Sequence, residues 1–364
     1  MKRIFLSHAD AAKYNRNNIL HYIKEHGPMS RTDIWEQLDI SRASVTQIIR
    51  QLQESNLILE IGEGESNGGR KPQYIRFNGM AKKLYAFDWM SHSLCLMSMG
   101  GDILYEKKLT FPPNVTQSVF ASILDKEIDT IEKMNICDAD DIVGLGMALP
   151  GIIDSRSAVI VDSVELGWQN VSLRSLFRRR FSENIFLERY GNLMALGEYS
   201  SKELKGTGHF QLYVLDENGI GVSTIVHDNC QHGANYMHGE LGHIKMPSDI
   251  VCSCGQKGCL EAIVNDIVER NNGQLPDEAL DYLAIGVSTS INLYDVKVAV
   301  LVGSYVESIN QKQKDRLLEK IHDKLVGQSL REIEIYFSGD TKQISLLGIC
   351  EYVFDCYFAR GYAR

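Results

Sequence analysis

Apolar residues recur at helical spacing three times in the first 55 positions, and each run ends at a turn signal. In NRNNILHYIKEH (15–26), Ile19, Leu20 and Ile23 share one face, and Gly27-Pro28 closes the segment. Ser30 and Asp33 form a capping-box pattern ahead of Ile34, Trp35 and Leu38, which predicts a second helix. Ser41 caps a third, RASVTQIIRQLQE, whose buried face is Val45, Ile48, Ile49 and Leu52. Its other face carries Arg42, Ser44, Thr46, Gln47 and Arg50. The period then changes to two. LILEI (57–61) and QYIRF (73–77) predict strands flanking the glycine-rich loop GEGESNGGRKP, with Arg70 and Lys71 at its far end. Residues 1–80 therefore read as a winged helix-turn-helix.

In such a unit the third helix enters the major groove of double-stranded DNA. Ser41, Arg42, Ser44, Thr46 and Gln47 would lie near base edges, and Arg50 near phosphate. Arg70 and Lys71 on a flexible arm suit phosphate or minor-groove contact. The three helices alone would also suit a protein-interaction module; the basic hairpin favours DNA.

From position 81 onward, strand and helix patterns alternate. LYAFDW, LCLMSM and ILYEKKLTF (84–111) predict three consecutive strands, followed by a helix around Val119–Met134 and a buried strand, IVGLGMAL (142–149). A second set is expected to open with IFLE (185–188) and continue through QLYVLD (211–216) and GVSTIVHD (221–228). Two similar blocks predict an α/β body over 81–364 with two lobes and a ligand crevice between them.

Charge sharpens that division. Residues 1–80 hold 11 Lys+Arg against 9 Asp+Glu, whereas the other 284 hold 27 against 38, within a total of −9. A mildly basic head on an acidic body fits one DNA-contacting unit joined to something else. No run reaches the roughly 20 apolar residues of a membrane helix, and no signal peptide is evident, so a cytoplasmic protein with reduced thiols is expected.

The chemistry is densest at GELGHIKMPSDIVCSCGQKGCLEA (239–262). Cys252, Cys254 and Cys259, with His243 upstream, supply three thiolates and one imidazole. That is a closed tetrahedral set suited to a structural zinc ion or another thiophilic metal. Gly255 and Gly258 provide the turns that let the thiolates converge. Cys95, Cys137, Cys230, Cys350 and Cys356 lack such neighbours and read as core thiols.

GELGHIKM followed by CSCGQKGCLE resembles the signature of the ROK family of sugar kinases and sugar-responsive repressors. LPGIID (149–154), LGW (166–168), LGE (196–198) and GIG (219–221) recur in the family's order, and residues 15–78 resemble the winged head of its repressor branch. The resemblance implies an actin-like, RNase H-like body, usually dimeric. It also implies that Glu240, His243 and Glu261 hold sugar hydroxyls, with His243 serving both metal and ligand. Asn192 is left to bond a further hydroxyl. Ordinary surface carboxylates are the alternative for the two glutamates.

Measured against the family's kinases, three parts of the catalytic apparatus are replaced. The Asn-Asp pair that supplies the general base is Arg189-Tyr190, and neither side chain accepts a proton at neutral pH. The first phosphate loop, D-x-G-G-T, is Asp88-Trp89-Met90-Ser91-His92, and the second carries Glu217 ahead of Gly219-Ile220-Gly221. The resemblance therefore implies a non-enzymatic transcriptional regulator, a repressor of carbohydrate genes answering to a sugar or sugar phosphate. An active sugar kinase, or a regulator that has lost small-molecule sensing, is the alternative.

Overall fold

The computed structural model describes residues 8–63, 73–202 and 204–359. The head opens with α1 (His8–His26), which begins seven residues before the predicted Asn15. A short β1 (Met29–Ser30) leads into α2 (Arg31–Leu38) and α3 (Arg42–Glu54), then β2 (Ile58–Glu63) and β3 (Gln73–Phe77). The capping box forms: Ser30 Oγ accepts from Asp33 N, and Asp33 Oδ2 from Ser30 N. Ser41 Oγ likewise accepts from Ser44 N to start α3. The strands pair antiparallel in the order β1-β3-β2. Ile19, Leu20, Ile34, Ile49, Leu52 and Ile75 fill the space between helices and hairpin. Arg70 and Lys71 lie outside the described residues.

The body repeats one topology. Its first sheet holds β4 (Lys83–Asp88), β5 (Ser93–Ser98), β6 (Ile103–Lys108), β7 (Ile142–Leu149) after α4 (Gln117–Lys133), and a fifth, parallel strand. Between them lie a three-stranded sheet of β8 (Ile152–Asp154), β9 (Val159–Ser163) and β10 (Trp168–Ser172), then α5 (Leu173–Phe181). The fifth strand is β11 (Ile185–Arg189), paired in register with β7 from Ile185↔Leu145 to Arg189↔Leu149. This corrects the sequence reading, in which IFLE opens the second set; it closes the first. After α6 (Tyr190–Ser201), the second sheet repeats the plan with β12 (His209–Asp216), β13 (Gly219–Val226) and β14 (Asn229–Cys230). Then come α7 (Leu260–Arg270), α8 (Asp277–Tyr294), β15 (Val298–Val302), α9 (Ser304–Ser308), α10 (Gln311–His322) and β16 (Glu334–Phe337). In both sheets the first three strands are antiparallel and the next two parallel to the first.

The helix after each fifth strand crosses to the other lobe. α6 lies on β12 and β13, with Met194, Ala195 and Tyr199 among Phe210, Leu212 and Ile225. α11 (Thr341–Tyr357) lies on β4 and β7, with Ile349, Val353 and Phe354 beside Leu84 and Ala86. The two helices touch backbone to backbone. A Cβ at Gly197 would stand 1.8 Å from Ile344 O, and one at Gly348 would stand 1.7 Å from Leu193 O. No side chain fits at either place.

The head docks on the far end of α11. Asn17 Nδ2 donates to Ala359 O (2.8 Å), His21 Nε2 donates to Phe358 O (2.8 Å), and Phe77 packs edge-on against Phe354. Glu351 accepts from both Lys24 of the head and Lys205 of the body, and Lys205 also reaches Glu25. Burial disfavours the charged form of Glu351, but the two ammonium groups outweigh it and hold its carboxyl below the usual range. Among the described residues, no helix is long and apolar enough to cross a membrane.

Candidate functional site: an interlobe cleft beside a histidine–cysteine cluster

The two lobes meet where β11 ends, β14 gives way to a loop, and that loop runs to a single helical turn at Leu241–His243; the crevice expected between the lobes would open there. On the far side of this turn, His243, Cys252, Cys254 and Cys259 bring one ligand atom each to within 4.8 Å of all the others. Cys252 Sγ lies 3.7 Å from His243 Nδ1, and Cys254 Sγ lies 3.6 Å from Cys259 Sγ. A tetrahedron with metal–sulfur bonds of about 2.3 Å has edges of about 3.8 Å, so the donor set fits a tetrahedral thiophilic ion. Gly255 and Gly258 both adopt left-handed backbone (φ 81° and 72°), as the converging thiols require. Lys245 Nζ, 2.8 Å from Cys259 Sγ, supplies positive charge to a thiolate-rich corner.

The His243 ring bridges to the cleft. With Nδ1 turned to the thiols, Nε2 faces Glu240 Oε2 at 3.9 Å. Glu261, two residues past Cys259 on the first turn of α7, accepts from Ile220 N (3.1 Å) and so braces the β12–β13 turn. Asn192 is almost fully buried, and its Nδ2 is taken by Glu188 Oε1 (2.9 Å); its Oδ1 has no partner. The predicted set is thus brought together in part: Glu240 joins His243, whereas Asn192 is bound into a different network.

Glu188, which the sequence reading passed over, is the centre of that network. Its buried carboxylate accepts from Arg189 N (2.7 Å) and Asn192 on one oxygen, and from Ser155 Oγ (2.6 Å) and His232 Nε2 (2.7 Å) on the other. Burial works against its charge, but these partners, His232 first, hold the carboxyl below its ordinary range. The bond to Glu188 correspondingly raises the His232 imidazole.

Arg189 ends β11 and Tyr190 begins α6. The Arg189 guanidinium crosses the cleft, donating to Glu240 Oε1 (2.9 Å) and to His238 O (2.6 Å). Tyr190 is half-buried, and burial, with Asp216 and Glu165 nearby, pushes its hydroxyl up to about 12. In the turn after β4, Ser91 N and Oγ both donate inward to Asp88 Oδ2. Trp89 is buried, with its indole N–H on Glu165.

On the head, Ser41, Arg42, Thr46, Gln47 and Arg50 are exposed along α3, and Ser44 is half-buried. The Arg42 guanidinium lies 4.3 Å from the Trp35 ring centre, and Thr46 Oγ1 donates to Arg42 O (2.8 Å).

Comparison with known proteins settles the kinship. Residues 91–271 match the model of the ROK family, and residues 15–59 that of the MarR family. The chain belongs to the ROK family. It is 24% identical to the xylose repressor of Bacillus spizizenii over 326 residues, 81% of this chain and 83% of that one. It is 26% identical to the DNA-binding transcriptional dual regulator NagC of Escherichia coli over 299 residues, 79% of this chain and 70% of that one. The crystal structure of a ROK family transcriptional regulator, a homolog of the E. coli MLC protein, superposes with a TM-score of 0.77 at 18% identity. It covers 96% of this chain and 98% of that one, so the same fold runs through head and body.

Proposed function

We propose that this protein is a sugar-responsive transcriptional repressor of carbohydrate genes. In this reading residues 1–80 bind duplex DNA and residues 81–364 are a kinase-derived effector domain without catalysis. The carrying observation is the exposed polar face of α3, presented by a capped winged head that is docked onto a complete ROK body. The named repressor relatives support it. Ser41, Arg42, Ser44, Thr46 and Gln47 read base edges, Arg50 holds phosphate, and Arg70 and Lys71 serve the wing. The ion held by His243, Cys252, Cys254 and Cys259 is a structural zinc, which fixes the wall carrying Glu240. Glu240, His243 and Glu261 form the effector site in the cytoplasm, with the buried Asn192 bracing Glu188 behind it. Arg189-Tyr190, the inward-turned Ser91 and the buried Trp89 support the absence of phosphoryl transfer.

A homodimer would place two heads on a pseudo-palindromic operator. Support for self-association comes from Leu293, Val326 and Leu330, 71–89% exposed on neighbouring segments tied together by Asn292. Coupling runs along packed elements: β11 ends at the cleft, α6 starts there, α6 crosses α11, and α11 carries the head.

The test is selection of binding sites from random duplexes, followed by salt titration of the enriched site. Arg50→Ala should lower the log Kd–log salt slope by about 1, and Gln47→Ala should relax base preference by about 1–3 kcal/mol at one position. Failure to enrich any sequence, or turnover with ATP and a sugar panel, would refute the reading.

A further inference from the structure

We infer that Arg189 sets the chemical class of the effector: it closes the cleft to uncharged sugars and admits a polyhydroxylated anion. Such a ligand's carboxylate or phosphate takes the guanidinium while its hydroxyls take Glu240 and His243. This rests on reading the cleft as an effector site.

The argument begins with occupancy. Glu240 is the carboxylate best placed for sugar hydroxyls, and a guanidinium from inside the protein already fills one of its oxygens at 2.9 Å. The Arg189 side chain is only 16% exposed, while that of Glu240 is 39% exposed and so open to solvent. A sugar that claims both oxygens of Glu240 must break a charge-assisted bond and leave the arginine with the His238 carbonyl as its remaining acceptor. No other carboxylate in the network can take over. Both oxygens of Glu188 are committed, to the Arg189 amide, Asn192, Ser155 and His232.

A second cation stands nearby, in His232 on the buried Glu188 carboxylate. Burial first, then the charges of Arg189 and His232, keep the His238 imidazole low. Arg156 acts in the same sense on His232. His238 Nε2 is itself buried with no partner. An uncharged sugar brings nothing to balance these groups once Glu240 is drawn away, whereas an anion replaces the charge it displaces.

The experiment is calorimetric titration of the full-length, metal-loaded protein and its Arg189→Asn variant. The probes are glucose and xylose, gluconate and xylonate, and glucose 6-phosphate and xylose 5-phosphate. The wild type should bind at least one anion at least tenfold more tightly than its uncharged parent, and the two anionic arms separate carboxylate from phosphate. Arg189→Asn should lose that preference and gain at least tenfold for the parent sugar. Equal binding of parent and anion by the wild type, a preference that survives Arg189→Asn, or no binding by either protein would each overturn the inference. Binding of the selected duplex, measured on both proteins, reports whether the variant is folded. DNA binding that persists without ligand binding would sink this inference and leave the DNA-binding reading standing.

Discussion

The two ends of the turn Glu240–His243 are organised in opposite ways. At His243 the partners come from within 16 residues along the chain and form a set of donors shaped for an incoming cation. At Glu240 the partner is a cation already in the protein, from Arg189, 51 residues away. One end is arranged around a ligand, and the other is satisfied without one. One short turn thus carries an arrangement that awaits a ligand at one end and an internal ion pair at the other.

Breaking the metal end should have the largest effect. Cys259→Ser removes a fully buried ligand, and its cost should be about 3 kcal/mol or more, lowering Tm by at least ~5 °C with loss of one bound metal per chain by elemental analysis. A metal-free wild type melting at the variant's temperature would erase the contrast. The arginine end should be next. Glu188→Ala strips an acceptor from Ser155, His232, Asn192 and the Arg189 amide, and should cost about 2–4 kcal/mol in urea unfolding. Glu188→Gln should recover part of that. A loss below ~1 kcal/mol would mean this end is not pre-organised.

The smallest effect is on pH dependence. His232 is raised in the folded state, so its contribution is complete below its unfolded value and is lost as pH rises through the folded one. Glu188 is depressed, so its contribution holds above the ordinary carboxylate range and is lost as pH falls through its folded value. The contact is therefore strongest between roughly pH 5 and 6.5. With His232 about a third exposed, screening keeps the loss on going to pH 8 under ~1 kcal/mol. Proton NMR should place the His232 titration above that of an ordinary histidine, and Glu188→Gln should bring it down.

What was legible in the sequence follows the same divide. Capping boxes, helix faces and closely spaced cysteines act over a few residues, so the head and the metal cluster can be read directly. Ser30–Asp33 and the four metal-cluster residues are found as expected. Parallel pairing of β11 with β7 leaves no local trace, so IFLE reads from sequence as the opening of the second lobe. His232 and Glu188 meet across 44 residues, and Arg189 meets Glu240 across 51. The replacement at 189–190 could be seen, but its bond partner could not. Asn192 was expected to face ligand because its residue type suits hydroxyls. Its side chain instead satisfies a buried carboxylate, a demand set by tertiary packing.

The crossing of α6 and α11 behaves as a scissor pivot. With glycines at the contact and carbonyl oxygens where side chains would stand, the blades can turn about the point but have no teeth with which to ratchet along each other. From Gly348 to Phe358 the long blade extends ten residues, roughly 15 Å at helical rise, so a turn of about 5° would swing its tip through about 1.3 Å. That tip is what Asn17 and His21 grip. A small angular change at the fulcrum would reach the head as a sideways displacement, amplified by length alone.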